Sequence, residues 1–263
     1  MRIFIITMDD PVQTNSFISQ IIESKKNEII GLAISKGDRL TIQRKKSKFT
    51  YLLSLFLIMG FYHFVRNSFI TIIYKIKKKL YLIFPKLFKD PSIARIASEN
   101  GIKTLDIKSP NNEQFLDEIR NLNIDVIINQ SQNILKSELL AIPKIGVINR
   151  HNALLPKNRG RLTPFWVLFK GEKETGVSIH FVNEELDAGD VIVQKKFPIE
   201  EKDNFNTIVK KNYELAPAAM LEALDKLKNG YVQFIKNDSS IATYNTTPTL
   251  KEAWQYRKIR LGL

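Results

Sequence analysis

Short apolar runs that return at intervals along this 263-residue chain, with helical stretches between them, limit most strongly what it can fold into. Arg2–Thr7 (RIFIIT), Glu28–Ile34 (EIIGLAI), Thr104–Ile107, Asp125–Asn129 (DVIIN) and Ile145–Asn149 (IGVIN) are short and mostly rich in isoleucine and valine. Runs of this kind suit strands buried on both faces. Between them, Thr14–Lys25 carries Phe17, Ile18, Ile21 and Ile22 at helical spacing, and Asn112–Asn121 and Leu135–Ala141 read as further helices. Asp90–Pro91 opens another helix, which Gly101 can close. Strands alternating with helices predict βαβ units and a parallel sheet.

Beyond Asn149 the rhythm changes. Thr163–Lys170 reads as a helix with Thr163 as N-cap and Pro164 in the first position. Gly176–Val182 and Val191–Phe197 alternate as strands joined by the turn-rich link NEELDAGD, which predicts a hairpin added to the sheet. A long helix over Phe205–Lys228 ends at Gly230, followed by a strand-like YVQFI and an irregular tail. The expected organisation is one α/β unit over 1–203, interrupted by an insertion at about 36–89, and a C-terminal helix and tail over 204–263 that is a candidate dimerisation segment.

That insertion holds most of the formal charge of +13. From Lys36 to Lys89 thirteen basic residues face the single Asp38, a local net of +12, so the rest of the chain is nearly neutral. The same stretch contains YLLSLFLIMGFYHFV and FITIIY, interrupted by Arg66 and Asn67 and shorter than a membrane span. The expected arrangement is a pair of helices packed on the core with a solvated lysine face. An interfacial segment drawn to anionic lipid is a minor alternative, and a phosphate- or RNA-binding patch is another.

Composition excludes several classes. With no cysteine there is no disulfide framework, thiolate nucleophile or zinc–cysteine site, and three histidines (His63, His151, His180) speak against a multi-histidine metal centre. Asp9 and Asp10 cut the N-terminal apolar run too early for a signal peptide, so a cytoplasmic location is expected.

Ligands of open α/β sheets gather at the carboxyl ends of the strands. This selects Asn149, Arg150 and His151 after one strand and the Asp187-Ala188-Gly189 turn beside another. Asn149 can donate amide hydrogens to a developing oxyanion, His151 can move a proton, and Asp187 can fix the imidazole tautomer. No serine or cysteine nucleophile accompanies them, which suits direct acyl transfer to a nucleophile of the substrate. Read singly, Asn-x-His is loop chemistry and Leu-Asp-Ala-Gly a turn, while His180 reads as a satisfied residue within an apolar strand.

Taken together, GVINRHNALLPKNRG at 146–160 and TGVSIHFVNEELDAGDVIVQ at 175–194 closely resemble the formyltransferases that use N10-formyltetrahydrofolate. Asn-x-His, a Leu-Leu-Pro run ending in Arg-Gly, and a Leu-Asp-x-Gly turn occur in the family's order. The resemblance implies a Rossmann-like fold, a mostly parallel sheet with helices on both faces and a small C-terminal appendage. It assigns Asn149, His151 and Asp187 as the catalytic triad. It further implies N10-formyltetrahydrofolate as co-substrate with no metal, its pterin lying between the segment Gln132, Asn133, Ile134, Leu135 and the segment Val182, Asn183, Glu184, Glu185.

For the acceptor, Met8-Asp9-Asp10-Pro11 lacks the glycine-rich phosphate loop of the glycinamide ribonucleotide enzymes, and the tail is too short for the barrel of the tRNA enzymes. The stretch from Pro156 to His180 is similar to the formyltransferase domain acting on UDP-4-amino-4-deoxyarabinose, and the C-terminal sequence is similar to sugar N-formyltransferases. The expectation is a nucleotide-linked amino sugar, with a dTDP-3- or 4-amino-dideoxy sugar favoured, formylated for surface polysaccharide synthesis such as O-antigen or lipopolysaccharide. A methionyl-tRNA formyltransferase-like enzyme is the alternative. Arg159, Arg161 and Tyr244 are the candidate substrate-binding residues, a homodimer is expected, and no nucleic-acid partner is.

Overall fold

Side chains of the first strand, β1 (Ile3–Thr7), alternate between two apolar cores: Ile3 and Ile5 enter one, Phe4 and Ile6 the other. A strand buried on both faces has no polar side, which is why RIFIIT shows no alternation in sequence. The computed structural model describes residues 1–36, 48–231 and 233–261. After β1 come α1 (Thr14–Lys25), β2 (Ile29–Ser35), the paired helices α2 (Lys48–Met59) and α3 (Phe61–Ile83), then α4 (Ile93–Glu99), β3 (Thr104–Ile107), α5 (Glu113–Arg120), β4 (Val126–Gln130), α6 (Ser137–Leu140) and β5 (Gly146–His151). A two-residue strand β6 (Arg159–Gly160) and α7 (Thr163–Phe169) lead to the hairpin β7 (Glu174–Phe181) and β8 (Val191–Pro198). The chain continues through α8 (Phe205–Asn229), a 3-10 turn at Ser239–Ile241, β9 (Tyr244–Asn245) and α9 (Leu250–Leu261).

Seven strands form one sheet in the order β3-β2-β1-β4-β5-β7-β8, parallel through β5 and antiparallel beyond. Helices α1, α4 and α8 bury Phe17, Ile21, Ile93, Ala219, Met220 and Leu224 on one face, while Phe115, Leu116 and Ile119 of α5 cover the other. This is the expected α/β class. Strand order reverses between β1 and β4, so the crevice of such a sheet opens at their carboxyl ends.

Several local expectations change. Helix α7 begins after Leu162, whose φ of 50° places it in the left-handed region, and Thr163 caps nothing because its Oγ1 donates to Asn152 O at 2.9 Å. Of YVQFI, only Ile235 pairs, through an isolated bridge to Val191; Val232 lies outside the described residues. The insertion does form two helices. Helix α2 buries Ser54 and Ile58 and joins Phe165, Ala253 and Tyr256 in a small apolar cluster. Helix α3 departs from the expected packing: none of its 23 residues is buried. It attaches by its polar side, Tyr74 and Lys78 donating to the Asp9 carboxylate, Lys78 at 2.7 Å. Residues 37–47, with Arg39, Arg44, Lys45 and Lys46 of the basic run, lie outside the described residues.

Candidate active site

Strand β5 has β4 on one side, with Asn129 opposite Asn149, and β7 on the other, with Asn149 opposite His180 and His151 opposite Ser178. The antiparallel partner carries the strand on through His151, beyond the expected end at Asn149. Asn149 and His151 are therefore strand residues on one face, with Arg150 turned to the other.

The Asn149 amide is held in one orientation. Gln130, the last residue of β4, donates from Nε2 to Asn149 Oδ1 at 2.9 Å, and Gln130 Oε1 in turn accepts from Arg150 Nε at 3.0 Å. With its oxygen engaged, Asn149 keeps its NH2 for a ligand. Arg150 is fixed by Asn152 and by the Tyr213 hydroxyl, each at 2.9 Å, and its guanidinium lies 4.1 Å from the Tyr213 ring centre and 4.9 Å from that of Phe17. Gln130 has no mark in the sequence, and Arg150, selected there only for its place after the strand, has its role set by a register that only the folded sheet creates.

His151 is buried. Its Nε2 lies 2.8 Å from Asn158 O and its Nδ1 3.4 Å from Asp187 Oδ2, so each ring nitrogen faces an oxygen acceptor. The run PKNRG bends to make this contact. Asn158 and Gly160 both have positive φ, 58° and 102°, and a Cβ at Gly160 would meet Asn245 O at 2.1 Å. Gly160 N–H donates to Asp187 Oδ2 at 2.8 Å. Asp187 itself sits at φ 51°, a conformation aspartate tolerates, and its turn is pinned by Asn237, whose Nδ2 donates to Asp187 O and Gly189 O at 2.8 Å.

The structure thus brings Asn149, His151 and Asp187 together at the carboxyl edge of the sheet. A second imidazole backs the carboxylate: His180 Nε2 is 3.7 Å from Asp187 Oδ1, and its ring is perpendicular to His151 at 6.2 Å. Burial pushes the His180 pKa down to about 4, the Asp187 charge opposing and His151 adding to the fall.

Of the expected pterin walls, Leu135 is buried in the same apolar cluster as Val147, with Val182 packed against it, so the two segments meet on one side of the sheet. Ile134 is exposed and its carbonyl accepts from Asn111 at 2.7 Å, Asn133 Oδ1 accepts from Ser35 at 3.0 Å, and Gln132 is half-buried. Val182 N–H donates to Val147 O at 2.8 Å, whereas Asn183, Glu184 and Glu185 are exposed.

Arg159 is fully buried. Its guanidinium is distributed over Glu185, Ser239 and Tyr244 through Nη1 and over Asn237 through Nη2. Arg161 differs: it is half-buried, burial holds its pKa below the ordinary value, and no carboxylate pairs with it among the described residues. Tyr244 is half-exposed, its hydroxyl bridging Arg159 and Glu185.

A formyl transferase domain matches residues 69–224, more than half of the chain. The chain belongs to the formyl transferase family. It is 37% identical over 154 residues to the methionyl-tRNA formyltransferase of Caldanaerobacter subterraneus subsp. tengcongensis, which is 58% of this chain and 50% of that relative. The chain spans about half the length of the curated formyltransferases it matches. Solved structures share the fold at lower identity. An N-formyltransferase from Helicobacter canadensis, in complex with folinic acid and dTDP-3-aminofucose, superposes with a TM-score of 0.58 at 16% identity, covering 94% of this chain and 71% of that one. Glycinamide ribonucleotide transformylase 1 from Symbiobacterium toebii gives 0.59 at 13% identity, covering 90% and 94%.

Proposed function

We propose that this protein transfers a formyl group from N10-formyltetrahydrofolate to the amine of a nucleotide-linked amino sugar. The observation that carries formyl transfer is the meeting of Asn149, His151 and Asp187 at one sheet edge in a chain of this family. N10-formyltetrahydrofolate supplies the formyl carbon, its pterin side lying between Gln132–Leu135 and Val182–Glu185. The acceptor amine attacks that carbon and forms a C–N bond. The carbonyl oxygen becomes an oxyanion that accepts from Asn149 Nδ2–H and, once substrate displaces the Asn158 carbonyl from Nε2, from the His151 ring. Asp187 holds the ring and takes part in removing the amine proton. The bond to N10 then breaks, N10 is protonated, and tetrahydrofolate leaves.

Three features support the amino-sugar acceptor. Arg161 is a cation without a carboxylate partner among the described residues, and it follows Gly160, which touches Asp187. Such a guanidinium suits a diphosphate beside the catalytic carboxylate. Tyr244 offers a half-exposed ring for a base or sugar. The Helicobacter canadensis protein, whose complex holds dTDP-3-aminofucose, shares the fold over nearly the whole chain. Arg159 acts from beneath, fixing Tyr244 and Glu185. A second reading, transfer to methionyl-tRNA, draws on the 37% identity to enzymes of that name.

The test incubates the protein with N10-formyltetrahydrofolate and, separately, UDP-, dTDP- and GDP-amino sugars and charged initiator tRNA, and reads products by mass spectrometry. A one-formyl mass gain on an amino sugar supports the first reading. Formylation of methionyl-tRNA alone replaces it with the second.

A further inference from the structure

Helix α3 is turned inside out relative to an ordinary surface helix. Tyr74 and Lys78 point inward to Asp9, while Tyr62, Val65, Phe69, Ile72, Ile76 and Ile83 are exposed. Those six recur at spacings of three and four residues and then seven, which places them along one face of the helix. Phe69 is 63% exposed, Ile72 55% and Ile76 50%. Exposed basic residues border this stripe, Arg66 and Lys77 on one side and Lys75 and Lys79 on the other. The segment that follows repeats the mixture, with Leu82, Phe84 and Leu87 exposed beside Lys86 and Lys89. From residue 39 to 89 the sequence contains no aspartate or glutamate.

We propose that the outward face of α3 docks on an anionic lipid bilayer and lies in the plane of the headgroups. An apolar stripe with lysines and arginine along both borders is the pattern that buries its hydrocarbon among acyl chains while the charged ends reach the headgroups. Charge selects this occupant over others. A second copy packed stripe to stripe would bring two acid-free basic borders together, and a nucleic acid would satisfy the lysines but leave the apolar residues in water. No helix among the described residues is long and apolar enough to cross a membrane, so the helix lies on the surface rather than through it. Asp9 lies two residues past the end of β1, so α3 is tied to the same carboxyl edge of the sheet that carries Gln130, Asn149 and His151. Docking through α3 would therefore bring the candidate cleft near the bilayer.

Vesicle flotation of the full chain tests this, with phosphatidylcholine vesicles and with vesicles containing phosphatidylglycerol. The expected result is co-flotation with the anionic vesicles only, weakened by added salt. Phe69→Glu, Ile72→Glu and Ile76→Glu combined should lower the bound fraction at least about tenfold, because charge is unfavourable in hydrocarbon. Lys75→Glu, Lys77→Glu and Lys79→Glu combined should do the same while leaving the stripe in place. Failure of the wild-type chain to float with anionic vesicles overturns the proposal. So does a dimer in sedimentation that the apolar triple variant dissolves, or RNA binding that survives that variant in a chain that ignores vesicles.

Discussion

Gln130 donates from Nε2 to Asn149 Oδ1 at 2.9 Å, and this single bond decides which end of the Asn149 amide faces the cleft. Arg150 fixes the Gln130 amide in its turn. In Gln130→Glu the new carboxylate pairs with Arg150 and offers Asn149 only acceptors, so the Asn149 amide turns its NH2 away from the cleft. Steady-state kinetics should show kcat reduced about 10²-fold, the effect of losing one oxyanion donor, with KM and thermal midpoint nearly unchanged. An unchanged kcat contradicts this role for Gln130.

The pH dependence of stability follows from His180. Its pKa is about 4 in the folded protein against an ordinary 6.5, so between those values the unfolded chain binds more protons. Stability is complete above the unfolded pKa and falls as pH drops through that window. Urea midpoints from pH 7 to 4 should show wild type losing on the order of 3 kcal/mol more than His180→Leu. Parallel pH curves would contradict it.

Arg159 ties its own segment to two others distant in sequence, the turn at Glu185 and the stretch carrying Asn237, Ser239 and Tyr244. Arg159→Met keeps the stem and removes the donors, leaving Asn237 O and Oδ1 without them. Denaturant unfolding should report a loss of about 2–3 kcal/mol. Arg161→Met, which breaks no such bonds, should leave stability within about 0.5 kcal/mol and instead raise KM for the acceptor.

Asp9 accepts from Asn15, Tyr74, Lys78 and the Ile93 N–H. Burial works against its ionised form, but the bonds from Lys78, Tyr74 and Asn15 hold its pKa below the usual carboxylate value. Asp9→Ala should release α3 while the sheet stays folded. Hydrogen exchange is the measure: faster exchange confined to residues 61–83, with β1 and β4 protected as in wild type.

Much of this arrangement is legible in sequence, for reasons that also explain the misses. β1, β2, β4 and β5 are apolar runs because both their faces are covered, and that leaves an unmistakable pattern. Asn149, His151 and Asp187 are carried by side-chain identity within a motif. Gln130 and Arg150 are not, because the bond between them exists only once β4 and β5 are in register. β5 runs past Asn149 because β7, an antiparallel partner distant in sequence, extends it. Helix α3 has the spacing of a packed helix, and periodicity tells which residues share a face but not which way that face turns.

Formyl transfer itself is tested most directly by one series: release of tetrahydrofolate from N10-formyltetrahydrofolate with the amino-sugar panel, for wild type and for Asn149→Ala, His151→Ala and Asp187→Ala. The account predicts acceptor-dependent release by wild type and losses of about 10²-fold or more in each variant, with folding retained. Wild-type rates in all three folded variants would contradict it.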